Sequence, residues 1–127
     1  MPCSSFVVAV IDDDDFIRDA LAALLPALDC KVELYASADA FLAGFETSRA
    51  SCLLIDIHLG VVSGISLGRA LVQAGFKFPV IYMTGSTDDL LRHQAHDAGG
   101  VAFLRKPFTP ADLSGALDVA RRREPTC

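Results

Sequence analysis

Five times along the chain, a short apolar run is followed by a segment with helical spacing, and that alternation leaves few folds open. Phe6 to Ile11 (FVVAVI) is uninterrupted and rich in β-branched residues, the pattern of a strand covered on both faces. From Asp15 to Leu28 the residues Phe16, Ile17, Ala20, Leu21, Leu24, Leu25 and Leu28 recur at spacings of three and four, as on one helix face. Lys31 to Tyr35 predicts a second strand. Ser37 is placed to cap a helix to about Thr47, with Ala40, Phe41 and Phe45 inward. Ser51 to Ile55 predicts the third strand, Gly60 to Gly64 a loop, and Ile65 to Ala74 a helix closed by Gly75. Pro79 opens a fourth strand, Val80 to Met83, and a helix capped by Ser86 or Thr87 then runs to Gly99-Gly100. Val101 to Leu104 is the fifth strand. Thr109-Pro110-Ala111-Asp112 has the form of a capping box with proline at the first helical position, and its helix reaches about Arg123.

Five strand–helix units with short connections imply an α/β fold: a doubly wound, five-stranded parallel sheet with helices on both faces, joined by right-handed crossovers. The 127 residues suit one domain, predicted over 6–123, with a lead at 1–5 and a frayed tail at 124–127. The net charge of −5 argues against nucleic acid or anionic membrane as the main partner, since both call for a basic surface. No apolar run approaches the roughly 20 residues that cross a bilayer. The N-terminus has no basic segment before its apolar stretch, against the pattern of a signal peptide. Cys3, Cys30, Cys52 and Cys127 show no C-x-x-C spacing and predict mostly buried thiols in a reducing cytoplasm.

In an open parallel sheet, ligands bind beyond the carboxyl ends of the strands. Asp12, Asp13, Asp14 and Asp15 follow the first strand, Asp56 the third, Thr84 the fourth, and Lys106-Pro107 the fifth. At least three carboxylates would crowd one rim. Two unit charges about 4 Å apart repel by roughly 4 kcal/mol at an effective dielectric near 20, so such a cluster calls for a cation or a raised pKa. Oxygen ligands suit a hard ion, Mg2+ or Mn2+. A carboxylate nucleophile, such an ion, a lysine and a hydroxyl together make a site for phosphoryl transfer to an aspartate. Taken singly, these residues have plainer roles. Asp15 reads as the cap of the first helix, Asp14 as solvated, and His93 and His96 as a solvated helix face. Arg121-Arg122-Arg123 reads as a favourable charge at a helix end.

Four segments in this order, VIDDDDFIR (10–18), LLIDIHLGVVSG (53–64), VIYMTG (80–85) and DAGGVAFLRKPF (97–108), resemble the receiver domains of two-component response regulators. The resemblance covers about residues 5 to 120 and implies the flavodoxin-like (βα)5 fold, with 6–123 as the receiver. It implies that Asp56 is the phosphoacceptor. Asp12 and Asp13 would hold Mg2+, Asp13 directly and Asp12 through water, with the backbone carbonyl of His58 as another ligand. Thr84 would hydrogen-bond the phosphoryl oxygen, Lys106 would pair with it, and the Lys106–Pro107 bond would be cis. Phe103 occupies the position of the aromatic switch that turns inward when Thr84 moves. The implied donor is a phosphorylated histidine kinase or histidine phosphotransfer protein. The implied output is a downstream protein or output domain reached through the face of the fourth helix, fifth strand and fifth helix, which also serves homodimers in the family. Such a domain takes up and loses its own phosphoryl group rather than turning over an external substrate.

The sequence departs from the family pattern where methionine-proline usually follows the phosphoacceptor loop. Leu59-Gly60 stands there, and Gly60 is expected to loosen the loop. His58 and Ser86, two residues beyond Asp56 and Thr84, take the positions that in relatives flank the attacking water. They are expected to tune phosphoryl lifetime. Two other classes compete: a receiver that binds protein without phosphorylation, and a Mg2+-dependent phosphohydrolase of the haloacid dehalogenase type. The latter would carry its nucleophile after the first strand in a D-x-D-x-[TV] pattern, and Asp12 to Phe16 lacks its Thr or Val.

Overall fold

The computed structural model describes residues 6–60 and 62–123. Five parallel strands, β1 (Phe6–Ile11), β2 (Cys30–Tyr35), β3 (Cys52–Asp56), β6 (Val80–Thr84) and β7 (Gly100–Arg105), stand in the order β2-β1-β3-β6-β7. The helices are α1 (Asp15–Ala27), α2 (Ala38–Ala43), α3 (Gly64–Gln73), α4 (Asp89–Asp97) and α5 (Pro110–Arg122). A small antiparallel hairpin, β4 (His58–Leu59) with β5 (Val62–Ser63), lies between β3 and α3.

The apolar runs are continuous because the strands are covered on both faces. Ala9, Ile11, Leu53, Ile55 and Tyr82 pack with Phe41 of α2, Ile65 and Leu71 of α3 and Ala95 of α4. Val8, Val10, Leu54, Ile81 and Met83 pack with Leu21 and Leu25 of α1 and Leu113 and Leu117 of α5. Burial of one such leucine or isoleucine contributes about 1.5–3 kcal/mol. Cys30 and Cys52 are both buried, whereas the predictions for Cys3, Cys127 and the 124–127 tail fall outside the described residues.

Local signals place most element ends. The Thr109 hydroxyl accepts from the Asp112 N–H while the Asp112 carboxylate accepts from the Thr109 N–H, a complete capping box. Ser37 caps α2 by accepting from the Ala40 N–H. Three boundaries differ from expectation. Asp14, not Asp15, caps α1, and Asp88, not Ser86 or Thr87, caps α4. In both runs several neighbours carry a short acceptor, and the backbone turn selects one. The second helix stops at Ala43 and a 3-10 turn, Phe45–Thr47, follows; Ala40 and Phe45, expected inward, are exposed. Phe16, in the first turn of α1, points outward and is 85% exposed.

The segment expected to be a loop at 60–64 is a hairpin and a helix start. Gly60, at φ +67°, begins the turn between β4 and β5, a backbone conformation that glycine adopts without steric cost. It serves the chain reversal, and Leu59 beside it is buried. No described helix is long and apolar enough to cross a membrane.

Candidate functional site

The strand order reverses around β1 and β3, and the crevice past their carboxyl ends is the place such sheets reserve for ligands. Asp12 follows β1 directly. Its N–H donates to the Tyr35 carbonyl at 3.1 Å, its side chain is fully buried, and its Oδ1 accepts from the Asp14 N–H at 2.9 Å. Asp56 ends β3 and is buried, and its Oδ1 accepts from the His58 N–H at 3.2 Å. The next residue ties that corner to β6, the Ile57 N–H donating to the Met83 carbonyl. α3 starts so near that a Cβ on Gly64 would lie 2.1 Å from the Asp56 carbonyl oxygen, so only glycine fits there.

Lys106 closes the pocket from β7. Its N–H donates to the Thr84 carbonyl at 2.7 Å, and the Lys106–Pro107 bond that follows is cis. Its Nζ donates to Asp12 Oδ2 at 2.8 Å and stands 3.5 Å from Asp56 Oδ2. Burial pushes the Asp56 carboxyl above the usual carboxylate range, and the Asp12 charge adds to it, outweighing Lys106 and the His58 N–H. Burial alone would lower the Lys106 amine. The hydrogen bond to Asp12 and the charges of Asp56 and Asp12 prevail and raise it.

Asp13 is exposed, yet Asp12, Asp13 and Asp56 each offer a carboxylate oxygen, and these oxygens all lie within 4.8 Å of one another. Three carboxylates against one ammonium leave an excess of negative charge among oxygen donors, which fits a hard divalent cation. The hairpin leaves the His58 carbonyl outside its own hydrogen bonding. The Gly64 N–H donates to the Ile57 carbonyl, which makes 57 and 64 a hydrogen-bonded antiparallel pair. Hydrogen-bonded and non-hydrogen-bonded pairs alternate, so His58 opposite Ser63 turns its own N–H and carbonyl away from the ladder.

Thr84 ends β6 and is fully buried. Its hydroxyl oxygen accepts from the Ser86 N–H at 3.1 Å and lies 3.1 Å from His58 Nε2. Phe103, opposite Tyr82 on β7, is half-buried against the α2–α4 face, with the Arg92 guanidinium 5.9 Å from its ring centre. Two contributors escape a reading of the sequence. Arg18 of α1 donates to the Asp12 carbonyl at 2.6 Å and pairs with Asp15, bracing the acidic loop. The His58–Thr84 bond joins residues 26 positions apart. Arg18, one residue past the run of acids and an apolar pair, was a visible signal for the first; nothing in one dimension marks the second.

These features define a doubly wound α/β domain whose switch-point crevice holds a cluster of acids bridged by one lysine. The family model for the response regulator receiver domain matches residues 8–118, and the chain belongs to that family. It is 33% identical over 119 residues to the response regulator protein TodT of Pseudomonas putida, covering 94% of this chain and 52% of that protein. It is 40% identical over 114 residues to the transcriptional regulatory protein FixJ of Azorhizobium caulinodans, covering 89% of this chain and 54% of that one. The crystal structure of FixJ-N superposes with a TM-score of 0.89 at 30% identity, covering 98% of this chain and all of the other. The chain therefore spans about half the length of the curated relatives it matches. Family membership sets aside the phosphohydrolase reading.

Proposed function

We propose that Asp56 is the phosphoacceptor of this receiver domain. A carboxylate oxygen of Asp56 would attack the phosphorus of a phosphohistidine on a histidine kinase or a histidine phosphotransfer protein. The O–P bond forms, the N–P bond breaks, and the histidine leaves with the nitrogen lone pair. The observation that carries this reading is the Lys106 amine, seated 2.8 Å from Asp12 and 3.5 Å from Asp56 in the switch-point crevice. That amine is placed to stabilise charge on a phosphoryl group at Asp56, and phosphoryl transfer depends mainly on positioning and charge neutralisation.

Asp12, Asp13, Asp56 and the His58 carbonyl would hold Mg2+, or Mn2+ in its place. When bound, the ion supplies positive charge to the crowded carboxylates and to the transferring group. Thr84 and Lys106 would then hold two phosphoryl oxygens, and Phe103 would follow Thr84 inward. His58 and Ser86 flank the position where water attacks and set the lifetime of the phosphoryl group. The output passes through the surface of α4, β7 and α5, to a downstream protein or output domain or to a second copy. FixJ is a transcriptional regulatory protein about twice as long as the matched segment, and we take transcription as the class of output, reached through other segments or proteins. The chain's own charge of −5 does not favour direct contact with nucleic acid. The compartment we propose is the cytoplasm.

Beryllofluoride, a mimic of the phosphoryl group, tests the reading. Mg2+-dependent binding that shifts amide resonances at residues 12–13, 56–58, 84–86 and 103–106 is expected, with none for Asp56→Ala. Binding retained by Asp56→Ala would refute it.

A further inference from the structure

We propose that His58 is a positioning residue that latches the Thr84 hydroxyl in the unphosphorylated domain, so that switching must break the His58–Thr84 bond. The inference rests on the reading above, in which Thr84 turns to a phosphoryl group on Asp56.

A hydroxyl has one proton to donate and two lone pairs to accept with. The Ser86 N–H, 3.1 Å from Thr84 Oγ1, uses one lone pair. His58 Nε2, also at 3.1 Å, takes either the proton or the other lone pair. The hydroxyl is thus held from two sides inside a fully buried side chain. The backbone beneath it is fixed as well, since the Thr84 carbonyl accepts from the Lys106 N–H at 2.7 Å. Rotation of Thr84 towards Asp56 therefore has to give up the His58 bond as well as the one from Ser86.

The fold gives the ring a firm base. The His58 N–H donates to Asp56 Oδ1, and His58 pairs with Ser63 in the hairpin that Gly60 turns. The imidazole reaches from there across to the end of β6. His58 is itself exposed, so a released ring nitrogen regains a partner in water. The latch is therefore strong enough to hold Thr84 and cheap to open. A side chain without a ring nitrogen at this position would leave Thr84 held by Ser86 alone.

One hydrogen bond of net worth near the usual range changes an equilibrium by roughly 2- to 10-fold. Titrations of beryllofluoride with Mg2+, followed by amide resonances, are run on the parent, His58→Phe (a ring without nitrogen) and His58→Ala. Each is repeated in a Thr84→Val background. The latch predicts that both His58 variants bind about 2- to 10-fold tighter than the parent, and that the gain disappears with Thr84→Val. Unchanged or weaker binding in both variants overturns it. So does an equal gain with valine at position 84, which would place the effect of His58 on access or water instead of on the hydroxyl. No binding by the parent would overturn the phosphoacceptor reading and the latch together, whereas binding by the parent without a gain overturns the latch alone.

Discussion

Replacing Lys106 by methionine removes the ammonium that faces Asp12 and Asp56 while keeping most of the side-chain volume. The amine lies 2.8 Å from Asp12 and 3.5 Å from Asp56, and all three side chains are largely buried, with 17% of the lysine side chain exposed. At an effective dielectric near 20, these two attractions amount to about 6 and about 5 kcal/mol before desolvation. Much of that offsets the burial of the charges. Breaking such a pair by deleting one partner typically costs about 3–5 kcal/mol, because the remaining charges stay buried. Lys106→Met is therefore expected to lose about 3 kcal/mol of stability at pH 7 in the presence of a chelator. The loss should shrink when Mg2+ is added, since an ion among the carboxylates replaces the missing charge and binding to the folded state stabilises it. It should shrink also as pH falls and Asp56 takes up a proton, because the repulsion between the two carboxylates then disappears. Urea denaturation followed by far-ultraviolet circular dichroism measures all three. A loss below about 1 kcal/mol in chelator, or one that neither Mg2+ nor acid reduces, would refute the reasoning that Lys106 neutralises this pair.

The parent itself should show a related pH dependence. The folded-state pKa of Asp56 is raised, so its contribution to stability is fully present below its ordinary value of 3.8 and is lost as pH rises through the folded value. Chelated protein should thus lose stability as pH rises from the carboxylate range, and Asp56→Asn should flatten that slope in a urea series; an unchanged slope would contradict it. A different strain separates Gly68 from Tyr82. A Cβ on Gly68 would fall 1.7 Å from the Tyr82 hydroxyl oxygen, which is buried without a hydrogen-bond partner among the described residues. Gly68→Ala should cost about 1–3 kcal/mol by overpacking, and Tyr82→Phe should recover part of it, since the ring carbon Cζ still stands 2.9 Å from that Cβ, and be near neutral alone. Thermal unfolding of the two single variants and the double variant checks this, and additive losses would count against it.

The sheet was legible because its three central strands, β1, β3 and β6, are buried on both faces. Phe6 to Ile11 and Cys52 to Ile55 leave no polar position on either side, a pattern that solvent-facing strands do not produce. The site was legible because Asp12, Asp56, Thr84 and Lys106 each stand at or next to the end of a strand, where topology alone brings them to one rim. Helix starts were less so. Asp12 to Asp15 and Ser86 to Asp89 present consecutive side chains able to cap, and only the three-dimensional turn distinguishes Asp14 and Asp88. Phe16 fits a helical spacing yet faces outward, because the period of a single turn does not fix which side meets the core. The β4–β5 pair is two residues long on each side, too short for any period to show. The contact of His58 with Thr84 depends on side chains meeting across separate elements, which no local pattern encodes, whereas Arg18 stands only six residues from Asp12 and its place just past the acids was visible.

The measurement that bears most directly on the central claim is the intact mass of the protein after incubation with Mg2+ and acetyl phosphate, for the parent and for Asp56→Ala. The account predicts one added phosphoryl group on the parent, none in chelator and none on Asp56→Ala. A parent that stays unmodified, or an Asp56→Ala variant that gains the same mass, would contradict it.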